Sequence, residues 1–176
     1  EARIGPVILL QDVLDAIEYA NGPVSSAWGA LRAQNGHPEP FGLRYLEISN
    51  EDGRNELYPE RYMLIYNAVK EKYPDMVIIA NGTRGGADIP IEIVDEHAYI
   101  SPLSAGSIAE RYDTYDRSGP KVFLGEYAVQ QSAEFGNFRS ALTEGILLNG
   151  MERNADVVVM TAFAPLFSNV NTINWR

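Results

Sequence analysis

Residues 43–81, LRYLEISNEDGRNELYPERYMLIYNAVKEKYPDMVIIAN, contain two short strand-like runs on either side of a helix-like segment. The runs at 43–49 and 76–81 are rich in apolar and β-branched residues. Between them, Pro59 suits a first helical turn, and five residues recur at helical spacing: Tyr62, Ile65, Tyr66, Val69 and Tyr73. This order predicts a parallel strand–helix–strand unit, with a sheet covered by helices.

The same alternation continues along the chain. Strands are predicted at 91–100, 119–128 and 156–167, and helices at 104–118 and about 133–153, the last with Phe138, Leu142 and Ile146 on its inner face. A further helix is predicted at 11–22. Five strands and four helices in this order fit either an open doubly wound sheet or part of a (β/α)₈ barrel.

One observation favours the barrel, and the length requires that the barrel be partial. Neither glycine-rich phosphate fingerprint, G-x-G-x-x-G or G-x-x-x-x-G-K-[ST], occurs in the sequence, which disfavours a nucleotide-binding sheet. A complete barrel takes about 250 residues, whereas this chain has 176. We therefore expect an α/β fold that is a partial (β/α)₈ TIM barrel lacking its first strands.

Composition narrows the classes of partner. A net charge of −10 argues against nucleic acid and anionic membranes, both of which attract clustered Lys and Arg, and favours a neutral partner. The sequence has no cysteine and two histidines, so we expect neither a thiolate site nor a zinc site of the usual kind. No apolar run reaches the roughly 18 residues of a membrane helix.

Polar side chains follow three of the predicted strands. The motifs ISNED, DEHAY and LGEYA place Asn50, Glu51, His97, Tyr99 and Glu126 at strand ends, which share one face in a barrel. Glu126 follows a buried apolar run, and an ionised carboxylate in such a place needs either a counter-charge or a function. Two carboxylates, an imidazole, an amide and a phenol suit acid/base chemistry on a polar neutral substrate, with glycoside hydrolysis as the leading case.

Five stretches in order add a family resemblance: IEYANGP (17–23), RAQNGHPEPFGLRYLEISNED (32–52), IVDEHAYISP (93–102), YDTYDRSGPKVFLGEYAV (112–129) and GMERNADVVVMTAFAPLFSNVN (150–171). They resemble the α-L-arabinofuranosidases of glycoside hydrolase family 51. The resemblance implies a barrel of the retaining-glycosidase clan with an appended β-sandwich, of which residues 1–176 would be the C-terminal portion of one catalytic domain. The five strands would then be the barrel's fourth to eighth, and the first three strands and the β-sandwich would be absent.

The resemblance also implies roles for the residues at the strand ends. Glu51 would be the acid/base, Asn50 its neighbour that binds the sugar, and Glu126 the nucleophile, while His97 and Tyr99 would contact the catalytic carboxylates. The implied substrate is a terminal α-L-arabinofuranosyl residue on arabinan, arabinoxylan or an arabino-oligosaccharide, cleaved without a cofactor or a metal. A retaining double displacement requires the two carboxyl groups to lie about 5 to 5.5 Å apart.

Two alternatives stay open, namely a related clan member acting on another plant cell-wall glycan and a non-catalytic carbohydrate-binding fragment. Ser49 stands where the family usually has glycine and would strain the loop if that position needs a positive φ. Ala98 replaces a frequent aromatic residue, which would alter one wall of the site. Glu47 is expected to form an ion pair under the site, and Asn81-Gly82-Thr83 is a glycosylation acceptor motif.

Two expectations concern the chain as a whole. Alone, the 176 residues should self-associate into a homo-oligomer or aggregate and show little activity, because the barrel's fourth and eighth strands would have unpaired edges. An extracellular or periplasmic location is preferred over a cytoplasmic one.

Overall fold

The computed structural model describes residues 6–82, 89–130 and 137–167 of the chain, which divides into two compact units, Glu1–Pro90 and Ile91–Arg176. The first unit contains α1 (Pro6–Asn21), α2 (Ala27–Gln34), β1 (Tyr45–Ile48), α3 (Tyr58–Lys72) and β2 (Val77–Ala80). The second contains β3 (Ile93–Ile100), α4 (Ala105–Arg111), a 3₁₀ turn (Tyr112–Thr114), β4 (Lys121–Val129), α5 (Phe138–Arg153) and β5 (Val158–Phe163).

The first unit contains the predicted strand–helix–strand segment. Strands β1 and β2 pair in parallel from Tyr45↔Val77 to Ile48↔Ala80, with α3 as the connection between them. Pro59 lies in the first turn of α3, as predicted, and Tyr62 and Val69 on its inner face are fully buried. The Tyr62 hydroxyl donates to the Pro90 carbonyl at 2.8 Å, which satisfies its one polar group inside the core.

In the second unit, β4 pairs in parallel with both β3 and β5. Its core forms where α4 and α5 cover these strands, around fully buried Tyr112, Val122, Leu124 and Leu147. The α/β class and five parallel strands are thus confirmed, whereas closure into a barrel stays a prediction. Among the described residues, no helix is both long enough and apolar enough to span a membrane.

The predicted inner face of α5 is wrong. Phe138, Leu142 and Ile146 are 79%, 59% and 50% exposed, and the buried face consists of Ser140, Thr143, Leu147, Gly150 and Met151. Small residues explain this choice, because a Cβ on Gly150 would lie only 2.6 Å from the Ala109 carbonyl oxygen of α4. Close approach of the two helices therefore determines the buried face more strongly than the apolar spacing does.

The boundaries of three helices differ from the predicted ones. The helix predicted at 11–22 spans Pro6–Asn21. The helix predicted at 104–118 ends at Arg111, and the Arg117 guanidinium then bonds the Tyr112 and Tyr115 carbonyls at 2.7 and 2.9 Å. Helix α5 begins at Phe138, where the Asn137 side chain accepts from the Ser140 N–H. Residues 133–136 of its predicted span lie outside the described residues.

Sequence reasoning missed α2. The Ser26 side chain caps this helix by accepting from the Gly29 N–H at 3.1 Å, a signal that the sequence did carry. Its Arg32 side chain is fully buried and donates to three carbonyls, those of Tyr19, His37 and Pro38. Hydrogen bonds from Arg32 thus tie this short helix to the end of α1 and to the segment that follows α2.

Candidate active site

The loop after β1 carries Asn50 and Glu51 in an unusual backbone conformation. Ser49 has a φ of 77° and Glu51 a φ of 52°, both in the left-handed region that glycine adopts most readily. The condition under which serine would strain this loop is therefore met. Asn50 and Glu51 are both exposed, so the loop presents them to solvent at the carboxyl end of β1.

Asn81, directly after β2, holds this loop in place. The Asp52 N–H donates to Asn81 Oδ1 at 3.0 Å, and a Cβ on Gly53 would lie 2.0 Å from the Asn81 carbonyl oxygen. The Tyr58 hydroxyl accepts from the Asn81 N–H at 2.7 Å and donates to the Ile48 carbonyl at 3.3 Å. A buried amide, a tyrosine and a close glycine contact thus fix the backbone on either side of Glu51.

The Asn81 side chain bears on two smaller expectations. Its Nδ2 donates to Glu47 Oε1 at 3.2 Å, so Glu47 has an amide partner, and the ion pair expected for it stays a prediction. Asn81 is 6% exposed, and its amide nitrogen is already engaged. The acceptor asparagine of the Asn81-Gly82-Thr83 motif is therefore inaccessible to glycosylation in the folded chain, while Thr83 lies outside the described residues.

The second unit brings together three of the predicted site residues. The Tyr99 hydroxyl donates to Glu126 Oε2 at 2.5 Å, and His97 Nδ1 lies 3.7 Å from the same oxygen. Both aromatic side chains therefore lie beside a single carboxylate oxygen. The Glu126 side chain is 31% exposed, so it is open to a ligand as well as held by the protein.

Sequence reasoning missed a fourth member of this cluster, Asp95. Its side chain is 1% exposed and its Oδ2 lies 2.7 Å from His97 Nε2, while its Oδ1 accepts from the Gly125 N–H at 3.0 Å. The signal was available, because Asp95, His97 and Tyr99 alternate along β3 and share one face. A carboxylate this deeply buried requires such partners.

A β-bulge places Glu126 on that same face. Glu96 pairs with Leu124 and His97 with Glu126, so Gly125 is an extra residue in β4. Strict alternation from Phe123, the partner of Asp95, would have put Gly125 on this face and turned Glu126 away. The bulge therefore aligns the Glu126 carboxylate with His97.

The neighbouring residues of β3 serve the core. Ala98 is 8% exposed and belongs to the hydrophobic core of the second unit, so it does not form the wall beside His97 that the sequence suggested. Glu96 forms an ion pair with Arg111 and accepts from the Tyr112 hydroxyl at 2.9 Å. Burial, followed by the negative charge of Glu96, raises the pKa of Tyr112 far above its ordinary value, so this phenol stays neutral.

These features describe an α/β protein with carboxylates at the carboxyl ends of parallel strands, and comparison with known proteins gives the family. Residues 5–118 match the model of the alpha-L-arabinofuranosidase 1 domain, and residues 125–175 match that of the alpha-L-arabinofuranosidase C-terminal domain. The chain belongs to the α-L-arabinofuranosidases of glycoside hydrolase family 51. The resemblance drawn from its sequence motifs is thereby confirmed.

Two curated relatives show how much of the family's length is present. An extracellular exo-α-L-arabinofuranosidase of Streptomyces chartreusis is 41% identical over 95% of the chain and 21% of its own length. Alpha-L-arabinofuranosidase 1 of Arabidopsis thaliana is 41% identical over 99% of the chain and 26% of its own length. The chain thus spans about a quarter of these relatives.

Solved structures agree with this assignment. An arabinose-bound family 51 α-L-arabinofuranosidase superimposes with a TM-score of 0.84 at 32% identity, over 98% of this chain and 31% of that one. The α-L-arabinofuranosidase of Thermotoga maritima, in complex with arabinose, gives a TM-score of 0.72 at 20% identity, over 89% and 41% of the two chains. The latter likeness concerns the fold alone.

Proposed function

We propose that this chain carries the acid/base and the nucleophile of a retaining α-L-arabinofuranosidase that releases terminal α-L-arabinofuranosyl residues from arabinan, arabinoxylan or arabino-oligosaccharides. The observation that carries this proposal is the Glu126 carboxylate, which is 31% exposed on β4 and held by Tyr99 in a chain of this family. The exo activity and the arabinose named for relatives support the choice of substrate. Residues 1–176 would be the C-terminal portion of one catalytic barrel.

In the first step, a Glu126 oxygen attacks the anomeric carbon while the bond from that carbon to the leaving oxygen breaks. Oε2 accepts a hydrogen bond from the Tyr99 hydroxyl and faces His97, so Oε1 is the oxygen less engaged by these two groups. Glu51 gives its proton to the leaving oxygen, and an arabinosyl ester of Glu126 results. Asn50 binds a hydroxyl group of the sugar.

In the second step, Glu51 acts as a base. It takes a proton from water, the water oxygen attacks the anomeric carbon, and the ester bond to Glu126 breaks with net retention. The ordered backbone around Glu51 supports this role, because proton transfer in both directions needs a carboxyl group whose position is fixed. No cofactor enters either step.

The test uses a chimera in which these 176 residues replace the matching segment of the Streptomyces chartreusis enzyme. With a nitrophenyl arabinofuranoside, Glu126→Ala should abolish formation of the glycosyl-enzyme, measured by intact-protein mass spectrometry. Glu51→Ala should still form this intermediate but turn it over slowly, because the leaving group needs little protonation and the base is gone. Glu152→Ala, at an exposed position on α5, is the matched control and should change neither step.

Azide distinguishes the two roles. It should rescue Glu51→Ala and give a glycosyl azide of retained configuration, because the ester on Glu126 is still formed. The two roles would be reversed if azide gave a glycosyl azide of retained configuration with Glu126→Ala and one of inverted configuration with Glu51→Ala.

The positive φ of Ser49 favours one alternative of a different class, a carbohydrate-binding protein that does not turn over its ligand. That alternative predicts a chimera that binds arabino-oligosaccharides, measured by calorimetry, but releases no arabinose. A related clan member acting on another glycan would instead prefer a different aryl glycoside in a substrate panel.

A further inference from the structure

Asp95 is a buried carboxylate that links two features of the Glu126 site. Its Oδ2 lies 2.7 Å from His97 Nε2, and His97 Nδ1 in turn faces Glu126 Oε2. Its Oδ1 accepts from the N–H of Gly125, the residue before Glu126. Asp95 therefore contacts both the imidazole beside the nucleophile and the backbone that carries it, without touching Glu126 in these contacts.

We propose that Asp95 is a positioning residue for the glycosylation step, holding His97 Nδ1 toward Glu126 and fixing the bulge at Gly125. This inference rests on the proposed function, because it assumes that Glu126 is the nucleophile. As an acceptor, Asp95 requires the proton of His97 Nε2, which leaves Nδ1 as the nitrogen that meets the nucleophile.

The β-bulge at Gly125 is the second feature that Asp95 holds in place. Since Gly125 has no partner in the β3–β4 register, its N–H is available to a side chain, and Asp95 Oδ1 takes it at 3.0 Å. A Cβ at this position would lie 2.2 Å from Asp95 Oδ1, so the contact needs glycine. Gly125 and Asp95 thus form one arrangement that turns Glu126 toward His97.

The Asp95→Asn substitution tests the proposal at nearly constant volume. The asparagine oxygen can still accept from the Gly125 N–H, but its amide group then points a donor at His97 Nε2. We expect the imidazole proton to move to Nδ1, visible in the histidine ¹⁵N shifts of the chimera, in which the signal lost in a His97→Ala variant identifies His97. In the chimera, kcat for an aryl arabinofuranoside should fall about 10- to 100-fold, with KM within about threefold.

A double-mutant cycle separates positioning from general stability. If Asp95 acts through His97, Asp95→Asn should change kcat by less than about threefold in a His97→Ala background. If the losses in kcat from the two substitutions instead multiply in the double variant, the proposal is overturned. A folded Asp95→Asn variant with an unchanged kcat and an unchanged His97 tautomer would overturn it as well.

Failure of the proposed function is recognised separately. If Glu126→Ala still forms the glycosyl-enzyme, both proposals fall. If Glu126→Ala abolishes it and Asp95→Asn does not affect it, only the role of Asp95 is refuted. Should Asp95→Asn not fold, the unsubstituted chain decides, because a His97 imidazole without a proton on Nε2 contradicts the proposal and one that carries it supports the proposal.

Discussion

Replacing Ser49 by glycine should stabilise the protein. With a φ of 77°, Ser49 holds its Cβ close to backbone atoms, in a conformation that glycine adopts without this penalty. The left-handed conformation costs a residue with a Cβ about 1 to 2 kcal/mol. Part of this stabilisation is lost, because glycine makes the unfolded chain more flexible and thereby lowers the free energy of unfolding by about 0.4 to 1 kcal/mol.

The midpoints of these two ranges, about 1.5 and 0.7 kcal/mol, leave a net stabilisation of about 0.8 kcal/mol for Ser49→Gly. At about 2 to 4 °C per kcal/mol for a chain of this size, the melting temperature should rise by about 2 to 3 °C. Urea unfolding followed by circular dichroism gives the free energy of unfolding, and calorimetry gives the melting temperature.

Two control variants make the backbone argument refutable. Ser49→Ala retains a Cβ at the same φ and should lie within about 0.5 kcal/mol of the native protein. Ser104→Gly changes a serine whose φ is −97°, and it should lower the stability, because no backbone strain is relieved, the unfolded chain gains freedom, and the Ser101 hydroxyl loses its partner Ser104 Oγ. If Ser49→Ala stabilises as much as Ser49→Gly, or Ser104→Gly stabilises at all, the positive φ is not the cause.

Three further predictions concern stability. Gly145→Ala on α5 should stabilise by up to about 1 kcal/mol, since a Cβ there meets nothing within 4 Å, whereas Gly150→Ala should destabilise by about 1 to 3 kcal/mol, since its Cβ would lie 2.6 Å from a backbone oxygen of α4. Urea midpoints that move in the same direction would contradict this packing. Asn81→Ala should lower the free energy of unfolding by about 1 to 3 kcal/mol, because an N–H in the loop after β1 loses its acceptor, and hydrogen exchange should show that loop opening first. Hydrogen bonds led by that from Asn154 hold the pKa of Asp113 below its ordinary value of 3.8, so this stabilisation is present above pH 3.8 and lost as pH falls through the lower folded pKa. The advantage of the native protein over Asp113→Asn in urea should therefore shrink below pH 3.8, and an advantage that grows in acid would refute the assignment.

The order of strands and helices was predictable because it follows from local periodicity. Runs such as 43–49 and 76–81 flank a helix marked by Pro59, and these signals need no knowledge of distant residues. The face of α5 was not predictable in this way. Leu142 and Leu147 are equally apolar, and only the close contact of Gly150 with Ala109 determines which of the two leucines is buried.

The candidate site shows the same division between local and long-range information. The strand positions of His97, Tyr99 and Glu126 predicted that these side chains lie close together, and they do, although they lie within β3 and β4 and not after them. The strand face on which Glu126 lies was not predictable, since simple alternation along β4 places it on the opposite face unless the bulge at Gly125 is known.

That bulge also explains why Asp95 was missed. By sequence alone, Asp95 is one acid next to another, and only its alternation with His97 and Tyr99 separates it from Glu96. Glu96 contacts Arg111 and Tyr112. Asp95 contacts His97 and also the Gly125 N–H, which the one-residue shift in the β3–β4 register leaves without a partner on β3. The partner of a buried carboxylate is thus set by a neighbouring strand's irregularity. Asp-x-His alternation on a strand followed by Gly-Glu on the next is the pattern to test for such a pair in other parallel sheets.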